Sequence, residues 1–376
     1  MAGWALLVST SMFMVSATLP IANAILLLFA PNLVNNVNYI AIISAVCLTI
    51  ISIILLKGIK VSSYIQNIIT VIEMVILFVL LAMGINKYAG NDSLSYISNI
   101  GNNNIHIFNI LSPFNFTTQI FVAGSIIAIF FYWGWDVILN LSEETKNKSK
   151  TPSKSVYFAM FSLIAIFMSF TILTMMALSA ADIEKYNTNI LYAIAENVWG
   201  SSYAYMAVIV VLLSTLGTIE TGMLQFTRTL FATSRDGMLH IRYSAIHNKW
   251  QTPWVATITI WAIAMLMILA SSYMESVNKI LQVSISAIGL LICFYLSMAG
   301  LACAYHYKYL FKSFSIDLNK ILEVITHIIY SLLSALFLIY IAIYSFIDFD
   351  NVTRIIGLGG LLSGLIPLGY FYCKRK

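Results

Sequence analysis

Near the middle of the chain, Ile129-Phe130-Phe131-Tyr132-Trp133-Gly134-Trp135-Asp136 sets one glycine among five aromatic residues, with a carboxylate two residues on. Without a Cβ, glycine reaches backbone angles closed to other residues. A helix broken here would present bare N–H and C=O groups to a polar ligand or an ion. At membrane depth such groups are tolerated only where they line a cavity. The same glycine also suits close packing of one helix on another, and spacing alone leaves both readings open. Two acids pose a related question, because Glu73 and Glu220 each lie within a long apolar run. A charge at the bilayer centre costs roughly 2.5–3.5 kcal/mol on insertion scales, so each acid should face the bundle interior or hold a proton. A carboxyl that exchanges its proton near neutral pH can carry a coupled proton; one paired to a hydroxyl or amide is structural. Around Glu220, Ser214, Thr218, Thr221 and Gln225 recur at three- and four-residue spacing and so share one helix face. That stripe either lines a pathway or joins helices.

Other chemistries find little support. Glu323 and His327 stand four apart at the start of an apolar segment but have no third ligand, so a polar helix start is expected rather than a metal site. There is no HExxH, P-loop, GxSxG or phosphate-cradling glycine run, and no enzyme is expected. Cys47, Cys293, Cys303 and Cys373 have no CxxC spacing and read as small buried hydrophobes.

The elements that must position these groups are membrane helices. Hydrophobic residues make up 60% of the chain and charged residues 9%, with a mean hydropathy of +0.89. A soluble domain carries about 25% charged residues, so this chain cannot cover a globule in water. Ten segments are long enough to span at roughly 20 residues each. They lie near 4–29, 39–56, 62–84, 118–140, 157–180, 201–227, 253–272, 280–303, 321–345 and 353–373. Barrel strands would alternate apolar and polar residues, and these runs do not, so the fold class is an all-α polytopic bundle. Assigning the connections alternately to two sides puts 16 of the 20 Lys and Arg on one side and 4 on the other. By the positive-inside rule the richer side, which holds the C-terminus, is cytoplasmic. The longest external connection is 85–117, and in 181–200 the spacing of Ile190, Ile194 and Val198 predicts a short surface helix.

Two connections on the basic side are patterned. One reads Glu143-Glu144-Thr145-Lys146-Asn147-Lys148-Ser149-Lys150-Thr151-Pro152; the other runs from Thr227-Arg228 through Ser234-Arg235-Asp236-Gly237 to Thr252-Pro253. With Gly134-Trp135-Asp136 these stretches resemble the amino acid–polyamine–organocation permeases over essentially the whole chain. The resemblance implies a partial inverted-repeat fold. Residues 1–84 correspond to the remainder of the first repeat, 118–303 to the second five-helix repeat and 321–373 to two terminal helices. By this alignment the chain begins at the family's third helix, with Gly3-Trp4 matching a common Gly-Trp, and the family's first two helices have no counterpart.

The resemblance further implies a proton-coupled secondary transporter of amino acids or related amines in the cell membrane, with alternating access around Tyr132–Gly134. Phe130, Phe131, Tyr132, Trp133 and Gly134 are the expected substrate-binding residues, Phe130 falling where relatives place an aromatic gate. Glu73, Glu220, Thr218 and Thr221 are the expected ion-coupling residues. Some relatives carry a Lys near Glu73, so a Lys-based mechanism does not transfer. Asp136, Glu143, Glu144, Lys146, Arg228, Arg235 and Asp236 form the expected cytoplasmic motif. The expected partners are a small-molecule substrate, a proton and the lipid bilayer, with no nucleic acid, cofactor or metal. A truncated, non-transporting paralogue or sensor is the alternative.

Overall fold

A computed structural model describes residues 1–34, 36–89, 117–145, 147, 150–186, 189–309 and 318–375. In chain order the helices are α1 (Ala2–Phe29), α2 (Val37–Leu56), α3 (Ile59–Ala89), α4 (Thr118–Phe131), the short α5 (Val137–Asn140), α6 (Thr151–Ala177), α7 (Ala180–Tyr186), α8 (Ile190–Trp199), α9 (Ser201–Arg235), α10 (Trp254–Ser271), α11 (Val277–His306), α12 (Leu318–Val324), α13 (Tyr330–Asp348), α14 (Asn351–Leu362) and α15 (Leu365–Arg375). The fold is an all-α polytopic membrane bundle. Among the described residues nine helical stretches are long and apolar enough to span, while α4 is a shorter apolar helix of 14 residues.

The expected span 118–140 is corrected to α4, a turn over 132–136, and α5. The expected last span also bends, at Ser363-Gly364 between α14 and α15. The ninth continues from α12 through a π-helical turn at Ile325–Ile329 into α13, with His327 inside that turn. Most of the long external connection lies outside the described residues, as does Lys146. Helix starts follow side-chain chemistry: Asn36, Thr117, Ser276 and Asp350 each accept a hydrogen bond from a backbone N–H of the first turn.

α1 is the central post, with 67% of its apolar window buried inside the protein, against 11% for the span in α3 and 6% for α6. One apolar core joins α1 to α2, α9 and α10 through residues such as Met14, Leu48, Met223 and Ile260. A second joins α1 to α4 and α11 through Met12, Phe130 and Leu291. Buried hydroxyls on α1 and α2 satisfy themselves locally: Ser9 donates to the Ala5 carbonyl, Thr18 to Met14 and Ser52 to Leu48. The predicted surface helix is α8, whose Ile194 is buried against α3 and α6 while Ile190 and Val198 are half-buried. Glu196 of α8 accepts hydrogen bonds from Tyr186, Tyr192 and Ser201, and burial together with this carboxylate pushes the Tyr192 hydroxyl up to about 12. Cys47 and Cys293 are buried as expected of small hydrophobes, but Cys373 is exposed.

Candidate functional site

α4 stops where glycine permits it. Tyr132 still donates to the Ala128 carbonyl, and Trp133 then shifts to Phe130 at 3.2 Å. Gly134 takes φ +113°, a conformation that L side chains rarely adopt, and helical bonding resumes when the Val137 N–H reaches the Gly134 carbonyl at 3.2 Å. Between these points the amides of Gly134 and Trp135 and the carbonyls of Phe131, Tyr132 and Trp133 make no backbone hydrogen bond with the described residues. A Cβ built on Gly134 would meet nothing within 4 Å, so the glycine is required by its backbone angle and not by crowding.

The break opens onto a cavity of about 290 Å³ bounded by α1, α3, the turn after α4, and α9. Phe13 comes from α1, Gln66 and Glu73 from α3, and Trp133, Gly134 and Val137 from the break. α9 contributes the stripe Ser214, Thr218, Thr221 and Gln225, with Gly217 and Gly222 between them. Ser214 of α9 and Glu73 of α3 line the same space. Gly217 lets α3 approach closely, since a Cβ there would collide with the Gln66 amide. The Gln66 Oε1 is buried and accepts no hydrogen bond from the described residues.

The far side of the break is tied down by Asp136, which is 8% exposed. Its Oδ2 accepts from Gln225 Nε2 of α9 at 3.1 Å and from the Tyr295 hydroxyl of α11 at 3.0 Å. Asp136 therefore belongs to the packed interior, not to the exposed loop with which its sequence neighbours group it.

Residues 1–358 match the family described as amino acid permease. The chain belongs to the amino acid permease family. It is 24% identical over 235 residues to the serine/threonine exchanger SteT of Bacillus subtilis (strain 168), covering 62% of this chain and 49% of that protein. To the branched-chain amino acid permease BcaP of the same organism it is 24% identical over 212 residues, 55% of this chain and 41% of the relative. To the low-affinity putrescine importer PlaP of Escherichia coli (strain K12) it is 24% identical over 228 residues, 57% of this chain and 46% of the relative. The chain spans about half the length of the curated relatives it matches.

This family member draws only part of the sequence-predicted set to the cavity. Trp133, Gly134, Glu73, Thr218 and Thr221 line it. Phe130 is buried beside it, packed on Phe13 at 6.0 Å between ring centres. Phe131 is 51% exposed and meets Phe167 of α6, and Tyr132 packs edge-on against the same ring at 5.3 Å. Glu220 is half-buried on α9 but does not line the cavity; at about 100° per residue it sits roughly 130° around the helix from the stripe. Phe13 and Gln66 escaped the sequence reading. Gln66 was detectable: it is a polar residue in an apolar helix, two turns before Glu73 and therefore on its face.

At the basic end of the bundle, the segment after the break is clamped to α9. Arg228 holds Glu144 through two nitrogens at 2.7 and 3.3 Å, and Arg235 holds Glu143 at 3.0 and 2.9 Å. Asp236 ends α9 and is exposed. These pairs border a wide vestibule of about 780 Å³ that also touches Lys57, Thr229 and Trp250.

Proposed function

We propose that this chain acts as a secondary transporter of amino acids or related amines, with alternating access around Tyr132–Gly134 and coupling to protons. The observation that carries this is the cavity itself: unpaired peptide groups at a glycine break, an intramembrane carboxyl and a polar stripe from a third helix meet in one space of about 290 Å³. Ligand pockets run from about 300 to 1,000 Å³, so this one suits a small molecule. The relatives named for exchange or import of serine, threonine, branched-chain amino acids and putrescine support the substrate range.

Glu73 is the acid of the two that faces the cavity, which favours it over Glu220 as the coupling group, with Thr218 and Thr221 beside it. The segment from Asp136 to Glu144 would move as one body against α9, to which Asp136, Glu143 and Glu144 link it through Gln225, Arg235 and Arg228. The skewed distribution of basic residues supports a cell-membrane orientation with the C-terminus cytoplasmic. In the family's terms, 1–84, 118–303 and 321–373 would be the remainder of the first repeat, the second repeat and two terminal helices.

The test is uptake by the full chain in liposomes with an alkaline interior, using radiolabelled serine, leucine and putrescine. At least one label should accumulate above protein-free liposomes, and a protonophore should abolish the accumulation. Failure of all three labels to enter with correctly folded protein would refute transport. Accumulation that ignores the protonophore would refute proton coupling alone.

A further inference from the structure

The lining of the cavity carries a charge imbalance that bears on what it holds. Glu73 is its one ionisable side chain, and among the described residues no Lys, Arg or His lines it. Two hydroxyls beside Glu73 present lone pairs to the cavity. The Thr218 hydroxyl spends its hydrogen on the Ser214 carbonyl at 2.8 Å, and the Thr221 hydroxyl spends its own on Gly217 at 2.8 Å. What each then offers the cavity is an acceptor oxygen. Gln66 Oε1 adds a buried acceptor with no partner among the described residues. The donors at the break, the unpartnered Trp133 indole and the backbone N–H groups of Gly134 and Trp135, are neutral, and the Gln225 amide already donates to Asp136.

An ammonium has three donors and no acceptor, so it is the complement of this lining. Burial of a lone cation is unfavourable unless it is paired, and Glu73 supplies the counter-charge. The rings of Phe13 and Trp133, 5.5 Å apart and nearly perpendicular, also border the space, and an aromatic face attracts a cation. A zwitterionic α-amino acid would bring a carboxylate into the same space as Glu73 with no cation lining it, and like charges in a desolvated site repel.

We propose that Glu73 anchors the ammonium of the ligand, and that the site selects a cationic amine such as an aliphatic diamine over a zwitterionic amino acid. This deepens the transporter reading and rests on it.

The test is equilibrium binding of putrescine and of L-serine to the purified full chain in lipid nanodiscs. Putrescine should bind more tightly than serine. Glu73→Gln should weaken putrescine by roughly 10- to 100-fold, the range for losing a hydrogen bond to a charged group. Glu73→Asp, which keeps the charge, should retain the preference. Tighter or equal binding of serine by the unaltered chain overturns the proposal and leaves the transporter reading standing. So does unchanged putrescine binding by Glu73→Gln, and if that variant does not fold, the ranking measured on the unaltered chain decides. Binding of neither ligand overturns both readings.

Discussion

Asp136 is where the break is fastened, so its removal gives the most direct measure of how the site is held. Replacing it with alanine strands two buried donors at once, the Gln225 amide (2% exposed) and the Tyr295 hydroxyl (7% exposed), which now reach Oδ2 at 3.1 and 3.0 Å. A buried donor left without a partner costs about 1–3 kcal/mol, so Asp136→Ala should destabilise by about 2–6 kcal/mol. Asp136→Asn keeps an acceptor oxygen at the same place and should fall between alanine and the unaltered protein. The decisive assay is a double-mutant cycle of Asp136→Asn with Tyr295→Phe, read as urea midpoints in detergent. If the two side chains act through the hydrogen bond, a coupling of about 0.5–3 kcal/mol is expected. Additive effects, or an alanine variant as stable as the original, would refute the claim that Asp136 ties the segment after the break to α9 and α11.

Three further outcomes follow from the geometry. Gly134→Ala meets no neighbouring atom but must adopt φ +113°, which should cost about 1–3 kcal/mol and weaken ligand binding; Gly124→Ala, also in open space but within α4 at ordinary angles, should be neutral or slightly stabilising in the same assays. Of the two clamps at the basic end, Glu144→Ala should destabilise more than Glu143→Ala, because the Arg228 side chain is 15% exposed and that of Arg235 48%. The Glu143 effect should stay within about 1 kcal/mol and fade at high salt in thermal unfolding. Asp350, hydrogen-bonded by Lys279 and capping α14 through the Thr353 N–H, has its carboxyl held down at about 2. A depressed carboxyl stabilises the fold above its unfolded value of about 3.9 and loses that contribution as pH falls toward 2. Acid titration of unfolding should therefore show a component between about pH 4 and 2 that Asp350→Asn lacks.

Composition and segment length alone determined the fold class of this protein. Lipid leaves the backbone no partner but itself, so long apolar runs without alternation must be helices, and among the described residues nine of the ten expected spans recur as helices long enough to cross, 118–140 being the exception. The break was legible too, because a glycine among five aromatics and ahead of a carboxylate is poor helix material, and Gly134 does take a left-handed angle. The α9 stripe was legible as a face, since helical periodicity fixes which residues point the same way. Periodicity does not say what that face meets. That Ser214 and Glu73 border one space, that Gln66 packs on Gly217, and that Glu220 turns away were decided by how α3 and α9 are rotated against each other. The same holds for Asp136, which local sequence groups with a charged loop but which packing draws inward because Gln225 and Tyr295, 89 and 159 residues away in the chain, converge on it. Phe130, Phe131 and Tyr132 show the limit most simply. Phe130 and Phe131 close α4 about 100° apart and Tyr132 opens the turn, and only the surrounding bundle determines that Phe130 meets the core while Phe131 and Tyr132 meet Phe167.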